Sequence, residues 1–132
     1  MTITEISKRH ELYTNIATDY GILIITAVQK GDAECKANSE DTYINTSYSS
    51  YDHIWIGIYK DPELELISFF HEIGHCTQSG ENVKELSYFE RERDAWKRGY
   101  NIAKKYGITF SSKSKRWARK QLETYNKPEY LK

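Results

Sequence analysis

The stretch "SFFHEIGHCTQSG", residues 68–80, constrains this chain more than any other. It continues an apolar run in which Leu64, Leu66, Ile67, Phe69, Phe70 and Ile73 point nearly all round a helical projection. A helix of that kind is buried. Its start is also written in the residues. Asp61-Pro62-Glu63 supplies an N-cap acid, a proline at the first helical position and an acid in the first turn. The spacing predicts a helix from about Pro62 to Thr77, ending near Gly80. Into this oily element are set His71, Glu72 and His75, and burying such groups without a partner is unfavourable.

A divalent cation resolves the conflict. Residues four apart lie one above the other on the same helical face. His71 and His75 can therefore present two imidazole nitrogens to one Zn²⁺ at about 2.0–2.1 Å. Glu72 projects beside that pair, where it reaches a water rather than the metal. Zinc lowers the pKa of such a water towards ~7, and a carboxylate that takes its proton completes the chemistry of His-Glu-x-x-His. Gly74 fits the same picture. A position without a side chain admits a neighbouring element closely and offsets a helix penalty of about 1 kcal/mol. Cys76 follows His75 directly and points about 100° away from it, so it reads as a packing residue.

Two histidines leave a tetrahedral site short of a protein ligand. The remaining histidines are His10 and His53, so no third histidine follows the motif. The candidates are Glu90, Glu92 and Asp94 on the next helix. Glu92 shares its face with Ala95, Trp96, Gly99 and Ala103, all apolar or small, and points inward. Glu90 lines up with Asp94, Lys97 and Asn101, the wet face. Glu92 is favoured. Were Glu90 the ligand, Asp94 one turn on could orient a histidine.

At this point the chain resembles a known family. "HEIGH" followed by "ERDAWKRG" is similar to the gluzincins, and most like the short ImmA/IrrE-type metallopeptidases common in phages and mobile elements. His71, Glu72 and His75 match the first part of that pattern, and Glu92 and Ala95 match its E-x-x-A second part. The likeness spans roughly residues 53–106. It implies zinc-dependent hydrolysis of a peptide bond in a regulatory protein, with Glu72 as general base and Glu92 as third ligand.

The rest of the chain predicts one domain over residues 1–132. Residues 3–19 read as a loosely amphipathic helix ended by Gly21, and 21–31 as a β-branched strand closed by Gly31-Asp32. Residues 33–38 are expected as its hairpin partner, and 42–48 as a short strand. Residues 53–59, "HIWIGIY", alternate Ile54, Ile56 and Ile58 against Trp55, Gly57 and Tyr59, as a half-buried strand does. Helices are expected at 84–106, closed by Gly107, and from Ser112 to Tyr125, with Trp117, Ala118 and Leu122 inward. This order predicts an α+β fold, a small, mainly antiparallel sheet of three to four strands packed against a buried His-Glu-x-x-His helix and further helices, minimally zincin-like. In zincins an edge strand just upstream of the metal helix holds the substrate extended by backbone pairing, and 53–59 is expected to serve so. Gly57 would give room for that approach. His53 is a candidate substrate contact and Tyr88 a candidate oxyanion donor.

Aromatic content of 14%, with eleven Tyr and three Trp, argues for a packed core rather than disorder. Cys35 and Cys76 form no disulfide framework and read as free thiols in a reducing compartment. No apolar run reaches the ~18 residues of a membrane helix, and "MTITE" lacks the build of a signal peptide, so a cytoplasmic protein is expected. Charge is uneven. Residues 1–96 hold 8 basic against 17 acidic residues, and 97–132 hold 11 against 2. The basic tail can dock on the acidic body or meet a nucleic acid, "KSKRWARKQ" having a Trp among cations. The leading expectation is a zinc metallopeptidase acting on a protein or peptide. The alternatives are a noncatalytic zinc domain that binds a protein or nucleic acid through its basic helices, and a structural protein whose histidines are ordinary core residues.

Overall fold

Asp61 starts the central helix by the chemistry its residues promised. Its backbone is extended (φ −98°, ψ 117°), its carboxylate accepts a hydrogen bond from the Glu63 N–H at 2.9 Å, and Pro62 follows. A computed structural model describes residues 3–26, 42–44, 48–49, 53–78 and 85–128. The elements are α1 (Ile3–Thr18), β1 (Leu23–Thr26), β2 (Thr42–Ile44), β3 (Tyr48–Ser49), β4 (His53–Ile56), β5 (Ile58–Tyr59), α2 (Pro62–Cys76), α3 (Tyr88–Lys105) and α4 (Ser112–Glu123).

Helix ends follow local chemistry. Ser87 caps α3 by accepting from the Glu90 N–H at 3.2 Å, and its hydroxyl also donates to Glu90 Oε1 at 3.1 Å. The helix accordingly begins at Tyr88 rather than at 84. After α1 and α3 the chain turns through Gly21 (φ 67°) and Gly107 (φ 71°), the left-handed region that glycine enters without a Cβ clash. The amides of Ile22 and Ile108 close those turns on the carbonyls of Ala17 and Ala103, both at 3.0 Å.

The strands overturn the expected fold class. Most described residues are helical, and strand pairing amounts to segments of two to four residues. The order is β1-β4-β3, with β2-β5 as a separate pair. The four-residue pairing, β1 with β4, is parallel, from Leu23↔His53 to Thr26↔Ile56. The chain is therefore not an α+β domain built on a mainly antiparallel sheet. Helices carry it, and the strands are a small mixed element beside them. Side-chain alternation is the same in either pairing direction, so the residues could not distinguish the two. The expected hairpin partner at 33–38 and Cys35 lie outside the described residues.

A second expectation also fails. β4 is flanked by β1 and β3, so it is an inner strand whose backbone is already paired on both sides. Residues 53–56 are not an open edge for an extended substrate. Gly57 breaks the run into β4 and β5, and Tyr59, placed on the outer face by alternation, is buried.

The core gathers on α2. Phe69, Phe70, Ile67 and Ile73 are at most 1% exposed, and Ile54 and Ile56 of β4 lie buried in the same cluster. Phe69 stacks on Tyr13 of α1 at 4.6 Å between ring centroids, and Phe70 meets Phe110 edge-on at 6.2 Å. A buried carboxylate pins α1 to α2. Glu65 Oε2 accepts from the Tyr13 hydroxyl at 2.5 Å, and Oε1 accepts from Arg9 and from the Tyr59 amide, both at 3.0 Å. Three donors on its two oxygens, one of them the Arg9 cation, make that burial tolerable. On the opposite side α2 packs against α3, and α4 closes over both.

Candidate metal centre

The α2–α3 contact decides the site. A Cβ placed on Gly74 would fall 2.1 Å from the Ala95 carbonyl oxygen, and one on Gly99 would fall 2.5 Å from the Phe70 carbonyl oxygen. Each glycine receives the backbone of the other helix, as expected of Gly74. Ala95, wholly buried, is the small residue that α3 sets at this crossing. With no side chains holding the helices apart, the residue one turn before Ala95–Trp96 is carried over the His71–His75 face.

That residue is Glu92. Its Oε2 lies 2.5 Å from His75 Nε2 and its Oε1 3.4 Å from His71 Nε2. One ligand atom from each of His71, His75 and Glu92 falls within 4.8 Å of the others, a group that could hold a metal ion. His71 is buried, and His75 and Glu92 are half-buried. The alternatives are placed elsewhere. Glu90 is exposed and its carboxylate accepts from the Ser87 hydroxyl at the start of α3. Asp94 faces Gln78 and Arg98.

Gln78 supplies what the sequence did not reveal. Its Nε2 donates to the Arg91 carbonyl and to Asp94 Oδ2, both at 2.9 Å. Two acceptors on the nitrogen side fix the amide orientation, so Oε1 is the atom that faces His75 Nδ1 at 2.9 Å. Nδ1 must then carry the proton. Without a metal, a proton on Nε2 bonds Glu92; once that proton is lost, the lone pair is on Nε2, the tautomer a metal ligand requires. Arg98 holds Asp94 at 2.7 Å and donates to the Thr77 carbonyl at 2.9 Å, tying the end of α2 to α3. Asp94 thus orients a histidine through an amide rather than directly. His71 is held otherwise. Its ring stacks on Trp96 at 4.0 Å and 22°, and its buried Nδ1 has no hydrogen-bond partner among the described residues.

The electrostatics follow from this packing. Burial alone would raise the Glu92 carboxyl, but hydrogen bonds and charge from His71 and His75 outweigh it and hold the group at about 2. Burial alone would lower His75, yet the Glu92 hydrogen bond, the charges of Glu92 and Glu72, and Gln78 raise it. The carboxylate of Glu92 is ionised throughout the physiological range.

Glu72 and His71 open into a pocket of about 200 Å³ walled by Tyr59, Trp96, Trp117, Gln121 and Tyr125. Sequence periodicity placed Trp117 inward but did not identify these aromatic residues as walls of the site. Their convergence depends on α4 crossing α2, which no local signal encodes. Two candidates are not brought in. His53 heads β4 and Tyr88 is 58% exposed at the start of α3, with the Arg91 guanidinium 5.7 Å from its ring centroid. Neither lines this pocket. Among the described residues no helix is long and apolar enough to cross a membrane. Comparison with known protein families, curated proteins and solved structures finds no match to the chain.

Proposed function

We propose that this chain is a zinc-dependent metallopeptidase, akin to the gluzincins of ImmA/IrrE type through His71, Glu72, His75, Glu92 and Ala95. One observation carries the reading: two imidazole Nε2 atoms and a carboxylate from a second helix converge beside a glutamate that lines a pocket. Two nitrogens and one oxygen suit Zn²⁺, and three protein ligands leave a position open, as hydrolytic zinc sites do. The Gln78 bridge sets His75 in the ligating tautomer, which supports the same assignment.

Zinc, when bound, would supply Lewis acidity to the attacking water and to the scissile carbonyl. The chain supplies the remainder. Glu72 follows His71 on the helix and takes a proton from the water, then returns it to the leaving amine. Its position among Trp96, Trp117 and Tyr59 screens that transfer from bulk solvent. His71, stacked on Trp96, and His75, bridged to Gln78, keep both ligand rings in place as the substrate enters.

The test pairs metal content with cleavage. Wild type should carry zinc near one equivalent by mass spectrometry and cleave members of a peptide library. Glu72→Gln should keep the zinc and the fold but lose cleavage by about 10²-fold or more. His75→Ala and Glu92→Ala should both lose the metal. Zinc retained in Glu92→Ala would remove Glu92 as a ligand, and cleavage retained in Glu72→Gln would end the general-base assignment.

A further inference from the structure

Behind the metal pocket, α3 and α4 enclose a groove of about 320 Å³. Its floor is apolar, formed by Trp96, Tyr100, Ala118 and Leu122. Its rim is cationic: Arg93 and Lys97 come from α3, and Lys115 and Arg119 from α4. All four cations are exposed, and among the described residues no acidic side chain lines the groove. The spacing within each pair is i,i+4, where like charges weaken a helix slightly. Folding alone does not favour that arrangement. An anionic occupant does.

Trp96 belongs to both cavities, lining the groove and the metal pocket. Helix α4 is likewise shared. Its Trp117 and Gln121 wall the pocket, while its Lys115, Ala118 and Arg119 wall the groove. A chain leaving the metal pocket along α4 therefore meets an apolar floor between two cationic edges.

We propose that this groove is an exosite for an acidic peptide segment, the part of the substrate flanking the scissile bond, with aliphatic side chains on the floor and Asp or Glu at the rim. Its location rests on the peptidase reading. The aromatic residues argue against single-stranded nucleic acid, whose binding draws on ring faces that stack with bases. Trp96 is 7% exposed and has one face covered by His71. Tyr100 is half-buried between Trp96 and Phe110, at 6.2 and 6.1 Å. Ala118 and Leu122 offer aliphatic contact only.

The experiment measures binding and requires no turnover. A fluorescein-labelled peptide in which leucines alternate with glutamates is titrated into zinc-loaded Glu72→Gln protein and followed by anisotropy. The controls are the same peptide with glutamine for glutamate, and a single-stranded oligonucleotide of equal charge. The acidic peptide should bind at least about tenfold tighter than the neutral one, and the preference should vanish in the added pair Lys115→Glu and Arg119→Glu. Both substituted positions are exposed, so circular dichroism and zinc content should be unchanged. Equal binding of the two peptides, an unaffected charge-reversed variant, or tighter binding of the oligonucleotide would each overturn the exosite. If the wild type cleaves no peptide but the charge-dependent binding stands, the peptidase reading has failed and the groove has not.

Discussion

Gly74 and Ala95 approach so closely that a single added carbon on the glycine would lie 2.1 Å from the alanine's carbonyl oxygen. The candidate metal centre depends on this contact, because it sets the distance between the helix bearing both histidines and the helix bearing Glu92.

Gly74→Ala should therefore force α2 and α3 apart. Its intrinsic helix propensity would rise, which alone stabilises by about 1 kcal/mol. The clash with backbone is larger, about 3 kcal/mol or more. The expected result is a melting temperature lower by on the order of 10 °C together with loss of zinc. An unchanged melting curve with zinc retained would mean that the helices do not need this approach.

The Gln78 bridge makes a separate prediction. Gln78→Ala removes the acceptor that fixes the His75 tautomer and leaves the Asp94 carboxylate one donor short. Competition with a chromophoric chelator should show zinc affinity lower by about 10- to 100-fold. An affinity within a factor of two of wild type would mean that His75 needs no orienting partner.

Stability of the metal-free protein should depend on pH in two opposite ways. Glu92 is depressed from 4.5 to about 2, so its contribution is present above pH 4.5 and is lost as pH falls towards 2. His75 is raised above 6.5, so its contribution is full below pH 6.5 and is lost as pH rises through its folded value. Chelator-treated protein should gain most from this pair between about pH 4.5 and 6.5, read as its melting temperature relative to Glu92→Gln. Zinc should reverse the upper limb, since ligation requires His75 without its Nε2 proton and metal binding releases protons. A difference between the two proteins that does not vary over pH 3–9 would refute the coupling.

Glu65 offers a test of the scaffold away from the metal. Glu65→Ala strands the Tyr13 hydroxyl, the Tyr59 amide and the Arg9 guanidinium in a buried network, and should cost about 3–5 kcal/mol in denaturant unfolding. Tyr13→Phe removes one hydrogen bond and should cost about 1–2 kcal/mol. Whatever remains folded should keep its zinc, because neither Glu65 nor Tyr13 belongs to the group of His71, His75 and Glu92 that could hold the metal. Loss of zinc in Tyr13→Phe would show that the two regions are coupled.

What the residues determined alone was local. Asp61 and Pro62 start α2, Gly21 and Gly107 close two helices, and the 3.6-residue period put Glu92 on the inner face of α3 and Glu90 on the wet one. Each of these signals acts within about one helical turn, where covalent geometry limits the options. The four-residue spacing of His71 and His75 belongs to the same class. So does Gly74, whose missing side chain announced a close neighbour without saying which.

Tertiary structure decided the rest. Parallel pairing of β1 with β4, and the inner position that denies β4 to a substrate, depend on which distant segments meet. Alternation carries no information about that choice. Gln78 became the orienting partner of His75 only because α3 brought the Arg91 carbonyl and Asp94 to its other end. The groove rimmed by Arg93, Lys97, Lys115 and Arg119 exists because α4 crosses α3 at that height. Helical faces are set by bonds between near neighbours, whereas these contacts join residues far apart in sequence and form only when the whole core packs.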